Sequence, residues 1–286
     1  MIGIYVILAV SLNLIAGYTG IISIAHSAFY GIGAYVAALM SIALHTSFMT
    51  NVICAMILSG LFGVLVGAPS LRIREDYYVI SSFSFQVIAF SILNNWVSFS
   101  GGPMGIPGIP QATIFGLTIS SNVEFLLIVA LSCAIVIWIS TRIIRSPFGR
   151  VLKAIREDEV FALAAGKNIA LYKILIFAIG SSMAALAGVL YAYYISFIDP
   201  KSFTVMESIF IISIVIIGGA GTVWGPVIGA IVLVTVPELL RFWGLPNVIA
   251  GNIRQIMYGA LLVAFMLWRP RGLCADFVSR KQGARK

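Results

Sequence analysis

Charge is scarce in this chain. Acidic and basic residues together fill 10% of its 286 positions, against about 25% in a soluble domain. That shortage excludes an ordinary water-facing surface. Histidine is scarcer still, with His26 and His45 the two in the chain. No H-E-x-x-H, no G-x-x-x-x-G-K-[ST] and no G-x-S-x-G occurs. The usual zinc, nucleotide and serine-nucleophile constellations are therefore missing. The sequence offers no catalytic residue, no cofactor or metal site, and no ATP site of its own. Cys54, Cys133 and Cys274 show neither metal-ligand nor disulfide spacing. The first two lie in apolar runs, where cysteine serves as a small packing residue. Acids are also rare inside the apolar runs. Glu124, Glu207 and Glu238 each stand near the end of one, which gives little support to ion coupling.

What fills the chain instead is apolar. Hydrophobic residues make up 60% and the mean hydropathy is +1.06. A helix crossing a bilayer needs roughly 20 mostly apolar residues, and lipid admits only helices or closed barrels. The runs here are too long and continuous for alternating barrel strands. The sequence thus predicts an all-α, polytopic integral membrane protein. It forms a single domain, 1–286, with about eight or nine transmembrane helices. The first run, 2–20, has no charged leader region and no small-residue cleavage site, so it predicts a span rather than a signal peptide. A small-residue run over 21–35 follows, with Ala37 and Ala38 beyond it, then spans at 51–69, 77–97, 122–141, 171–195, 205–220, 226–243 and 253–268.

The net charge of +8 is unevenly placed. Arg142, Arg145, Arg150, Lys153, Arg156, Lys167 and Lys173 cluster in the middle. Arg269, Arg271, Arg280, Lys281, Arg285 and Lys286 lie at the C-terminus, and Arg72 and Arg74 in a short turn beside Glu75 and Asp76. Segments of this kind between apolar spans follow the positive-inside rule. They predict a cytoplasmic middle loop and a cytoplasmic C-terminus, not a nucleic-acid surface. Within 142–173, Pro147 and Gly149 are expected to stop the preceding helix, and Gly166 a later one. Apolar residues at Val151, Leu152, Ile155, Val160, Phe161, Ala162 and Leu163 predict one short helix over 150–165. A topology signal alone explains most of the bases. It explains this long, partly helical loop less well.

Several intramembrane features stand out. The stretch G-Y-T-G-I-I-S-I-A-H-S-A-F-Y-G-I-G-A-Y (17–35) is dense in small residues that let helices approach closely. Its glycines at 17 and 20 could break a helix, which lipid tolerates only inside protein or along a cavity. His26 is a functional candidate as an ionisable group at membrane depth. The plainer alternative is a neutral His26 bonded to a neighbouring helix. Ser81, Ser82, Ser84, Gln86 and Ser91 make 77–97 the most polar run; they could line a passage or join helices. The loop 98–121, with Gly101, Gly102, Gly105 and Gly108 among Pro103, Pro107 and Pro110, carries no charge. It excludes a helix or a central strand and could be a docking face, a gate or a plain connector. A second glycine cluster, G-G-A-G-T-V-W-G-P-V-I-G-A (218–230), is similar to the first and raises an internal repeat, parallel or inverted.

These segments, in this order, carry a resemblance. The two glycine clusters, G-G-P-M-G-I-P-G-I-P, F-G-R-V-L-K-A-I-R-E-D-E-V-F-A-L-A-A-G and D-P-x-S-F resemble the LivM-type permeases, membrane subunits of branched-chain amino-acid ABC importers. The resemblance covers essentially the whole chain. It implies a coupling loop at about 146–170, similar to the E-A-A-x3-G element of import permeases. Gly166 and Ala162 fit that element, Glu159 precedes it, and Phe161 stands where alanine is common. By the same resemblance, Arg150, Lys153, Arg156, Glu157, Asp158 and Glu159 would make polar contacts to a cytoplasmic ABC ATPase, and Phe161, Ala162 and Gly166 would pack into it. Further implied partners are a second, LivH-type permease subunit, a periplasmic or surface substrate-binding protein, and the lipid bilayer of the cell (inner) membrane. A translocation path is expected among Ser23, His26, Ser27, Ser84, Gln86, Gly218, Gly219 and Gly221. Branched-chain amino acids are the implied substrates. Urea and short amides, served by similar permeases, are the alternative, and an ATPase-independent channel or carrier is a rival of another class.

Overall fold

The computed structural model describes residues 1–68, 75–114, 117–119, 121–241, 259, 260, 263, 273 and 274. Arg72, Arg74, the six C-terminal bases and nearly all of the run at 253–268 lie outside the described residues, as do the side chains of Glu75, Asp76 and Glu238.

The described chain is a bundle of helices. They are α1 (Ile2–Leu12), α2 (His26–Ala43), α3 (Phe48–Gly67), α4 (Glu75–Asn95), the one-turn α5 (Val97–Ser100), α6 (Asn122–Arg145), α7 (Pro147–Glu157), α8 (Glu159–Ala164), α9 (Ile169–Ile195), α10 (Val205–Gly218) and α11 (Trp224–Arg241). α2, α3, α4, α6 and α9 contain stretches long and apolar enough to cross a membrane, while 2–17, α10 and the start of α11 are shorter apolar helices. The predicted all-α membrane architecture is thus present, with shifted boundaries. The run at 2–20 is a shorter helix, α1, that opens into a π-turn over Asn13–Gly17.

Polar caps decide where several helices begin. Ser121 and Glu124 form a reciprocal capping box at the start of α6. Ser47 Oγ accepts the Thr50 N–H (3.4 Å) ahead of α3, and Asn168 Oδ1 accepts the Leu171 N–H (3.3 Å) ahead of α9.

α9 is the central helix. It packs on α1, α2 and α3. Buried residues make up 67% of its apolar stretch, but 17% of that of α4 and 22% of that of α6. α4 and α6 therefore turn broad apolar faces outward, including Ile80, Leu126, Leu131 and Trp138. Lipid removes the hydrophobic drive between helices, so close backbone approach must hold them. Gly33 shows how: a Cβ there would fall 2.6 Å from the Ala185 Cα, so α2 and α9 meet backbone to backbone.

The bundle has two distinct ends. At 1.5 Å per residue, the 27 residues of α9 span about 40 Å. One end carries α7 and α8. The other carries the 98–121 loop, which holds α5, a 3-10 turn at Gly102–Met104 and two-residue strands rather than any long element. There β1 (Ile106–Pro107) pairs antiparallel with β4 (Phe197–Ile198), which follows α9, in the register Ile106↔Ile198. β2 (Thr113–Ile114) and β3 (Leu117–Thr118) form a second small ladder.

Candidate functional site

The chain between α1 and α2 is not helical over residues 20–25, as the glycines at 17 and 20 predict. α2 consequently begins in the interior of the bundle. Its N-cap, Ala25, has no side chain able to cap, yet the first amides of a helix need acceptors. Other helices supply them. The Ser27 N–H donates to Ser208 Oγ on α10 (2.9 Å) and the Ala28 N–H to Gln86 Oε1 on α4 (2.7 Å). Gln86 Nε2 in turn donates to the Phe203 carbonyl (2.8 Å). Just upstream, the Ile24 N–H donates to Ser82 Oγ (3.1 Å), and Ser23 Oγ accepts the Ala25 N–H (3.4 Å). His26 Nε2 lies 2.8 Å from Ser11 Oγ on α1. Ser11 Oγ also lies 2.9 Å from the Leu8 carbonyl, so its proton can go to that carbonyl when Nε2 is protonated or to Nε2 when it is not. His26 Nδ1 and Ser27 Oγ are fully buried without a hydrogen-bond partner among the described residues. A buried polar cluster thus lies between α1, α2, α4 and α10 in otherwise apolar surroundings.

The second glycine cluster makes a second break, between α10 and α11. Gly219 and Gly221 adopt positive φ of 113° and 86°, closed to most side chains. Thr222 Oγ1 donates to the Gly219 carbonyl (2.9 Å) and accepts the Gly225 N–H (3.0 Å), so this turn is capped from within. The Leu273 and Cys274 amides donate to the Ile217 and Gly218 carbonyls at 2.9 and 3.0 Å. The two breaks touch. Asn13 Oδ1 accepts the Gly221 N–H (2.8 Å) and Asn13 Nδ2 donates to the Thr222 carbonyl (2.7 Å). Tyr5 donates to Glu207 (2.7 Å) near the other ends of α1 and α10, so these two helices run in the same direction.

The basic loop corrects the sequence reading in several places. α6 continues to Arg145, and Ser146 separates it from α7. Pro147 starts α7 rather than stopping α6, as proline suits the first helical position. The helix expected over 150–165 is two. Asp158 is extended, and its Oδ1 accepts the Phe161 N–H (3.0 Å), so it ends α7 and caps α8. Ala162 is not available to a partner: it is 2% exposed, packed with Ile155 and Ile169. Glu159 pairs with the buried Lys173 of α9, both carboxylate oxygens lying 3.0 Å from Nζ. Arg156 turns toward its own chain, where Nη1 donates to the Gly17 carbonyl. Lys153 sits over the Tyr18 ring, 5.6 Å from its centre. Arg150, Glu157, Phe161 and Gly166 are exposed.

Of the path residues, Ser23, His26, Ser27 and Gln86 come together, and Gly218, Gly219 and Gly221 form the second break. Ser84 does not join them. It is exposed on the outer side of α4, with its hydroxyl on the Ile80 carbonyl (2.9 Å). Sequence reasoning missed Ser11, Asn13 and Ser208. Each is a lone polar residue in an apolar run, the type that must bond across helices in lipid.

Residues 1–266 match the family model described as the permease component of the branched-chain amino acid transport system. The chain belongs to that permease family. The permease is 34% identical to the high-affinity branched-chain amino acid transport system permease protein LivM of Salmonella typhimurium, over 94% of this chain and 67% of that one. It is 30% identical to the probable LivM permease of Methanocaldococcus jannaschii, over 78% and 68%. It is 26% identical to the LivH permease of Escherichia coli, over 94% and 90%. No solved structure matches the permease. The family is one of multi-pass membrane transport proteins, in agreement with the apolar helices.

Proposed function

We propose that this permease is the membrane subunit of an ATP-driven importer of branched-chain amino acids, and that a separate ATPase bears on α7 and α8. The observation that carries this reading is the surface of α8. Val160, Phe161 and Leu163 are 75%, 68% and 56% exposed. They project from a six-residue helix that an ion pair between buried Lys173 and half-exposed Glu159 pins to the central helix. A short helix with apolar side chains outward and its base fastened suits a partner's groove. Arg150, Glu157 and Gly166 flank it as polar and backbone contacts. The bases of this end and of the C-terminus support a cytoplasmic position for both.

Solute would pass beside His26, Ser27, Ser23 and Gln86, where unpaired polar atoms and the start of a broken helix can receive a zwitterion's charged groups. Gly218, Gly219 and Gly221 form the movable cytoplasmic edge. Similarity to relatives named LivM and LivH supports a paired permease, the second subunit being LivH-like. An external binding protein would deliver substrate to the 98–121 end.

Reconstitution in vesicles with its companion subunits tests the proposal. Labelled leucine, isoleucine and valine should accumulate only with ATP. Phe161→Ala should weaken ATPase association about tenfold, as loss of a buried aromatic anchor does. Transport of urea instead of leucine would move the chain to the amide-transporting reading. Uptake driven by a gradient with no ATPase present would end the proposal.

A further inference from the structure

We infer that Arg156 is the positioning residue that ties α7 to both helix breaks, so that a movement of α7 carries them with it. This rests on the reading that an ATPase drives α7 and α8. The guanidinium meets the end of the helix formed by α1 and its π-turn, where carbonyls lack intrahelical partners and the helix dipole is negative. Nη1 donates to the Gly17 carbonyl. A Cβ on Gly221 would lie 2.6 Å from that same nitrogen and 3.1 Å from the Gly17 carbonyl oxygen, so one guanidinium abuts both breaks. Asn13 closes the figure from inside the bundle through Gly221 and Thr222. One turn before Arg156, Lys153 lies over Tyr18 in the first break.

Two features make this more than surface packing. First, a charged side chain at the loop end is directed to a neutral carbonyl of its own bundle, whereas Glu159 and Lys173 of the same segment pair with each other. Second, the contact continues inward. Asn13 is two residues from Ser11, and Ser11 holds His26. A shift of the Gly17 turn therefore reaches the candidate path along one helix. A planar guanidinium can engage the carbonyl and lie along the Gly221 backbone at once; an ammonium cannot do both.

The test uses the full complex in vesicles and reads ATPase co-purification, ATP hydrolysis and solute moved per ATP. Arg156→Ala should keep the ATPase bound and hydrolysing. Solute moved per ATP should fall about tenfold, the size of coupling that charged hydrogen bonds supply. Arg156→Lys should restore part of the loss. Joining Lys153→Cys to Tyr18→Cys with a short thiol cross-linker should rescue Arg156→Ala, because the link replaces the tie. If Arg156→Ala does not accumulate, the same cross-link in the otherwise unaltered protein decides, and it should leave transport intact. Normal transport per ATP in Arg156→Ala, failure of the cross-link to rescue, or a block by the cross-link in the parent would each overturn the inference. Loss of the ATPase from Arg156→Ala would make Arg156 a docking contact and overturn it too, with the ATPase reading left standing. Absence of any ATPase on the parent protein would instead remove that reading, and the inference with it.

Discussion

The two helix breaks are built from similar glycine clusters, yet they are held in different ways. The first, ahead of α2, has local hydroxyl acceptors at Thr19 and Ser23. Its Ile24, Ser27 and Ala28 amides reach Ser82, Ser208 and Gln86, which come from α4 and α10. The second, ahead of α11, is bridged within its own turn by Thr222 and joined to α1 by Asn13. The start of α2 is therefore capped by side chains of distant helices, whereas the start of α11 is capped by a residue of its own turn. A helix start capped from a distance registers whether its neighbours have moved; one capped locally does not.

The largest effect that sharpens this contrast is expected at Gln86. Gln86→Ala should leave the Phe203 carbonyl buried without its donor and the Ala28 amide with the Ala25 carbonyl alone, at a cost of about 2 kcal/mol. The unfolding midpoint of the detergent-solubilised protein would measure it. Thr222→Ala should cost about 1 kcal/mol by the same measurement, as loss of one local cap does. Should Thr222→Ala prove the more damaging of the two, the contrast between remote and local capping would be wrong. The smallest effect is expected at Ser84, whose hydroxyl bonds only the preceding turn of its own exposed helix face. Ser84→Ala should stay within about 0.5 kcal/mol in stability and should leave uptake unchanged; a loss of uptake would return Ser84 to the path.

Much of this arrangement was legible in the sequence because lipid enforces simple rules. Run length found the membrane-length helices α3, α4, α6 and α9, and polar residues stranded within the apolar runs pointed to His26 and Gln86. The spacing also contained the correction for Ser84. Ser82 and Gln86 are four apart and share a helix face, whereas Ser84, midway between them, faces away. α6 outran its apolar run because Arg142 can lay its stem along apolar surface, and its guanidinium lies 5.4 Å from the Trp138 ring centre. The split at Asp158 was hidden because E-D-E suits either a continuing helix or a cap, and only the backbone conformation chooses. The inward turn of Arg156 was hidden for a different reason. Charge in a loop predicts a side of the membrane, but not which of two neighbours, the partner or the protein's own helix end, takes the donor.

The pairing of β1 with β4 has a mechanical consequence. The uncharged loop is fastened by backbone hydrogen bonds to the segment that emerges from α9. A protein landing on that loop would grip the tip of α9, the longest of the described helices. The root of the same helix carries Lys173, clasped to α8. The 98–121 loop at one end and α8 at the other are therefore joined by one stiff, uninterrupted helix of 27 residues.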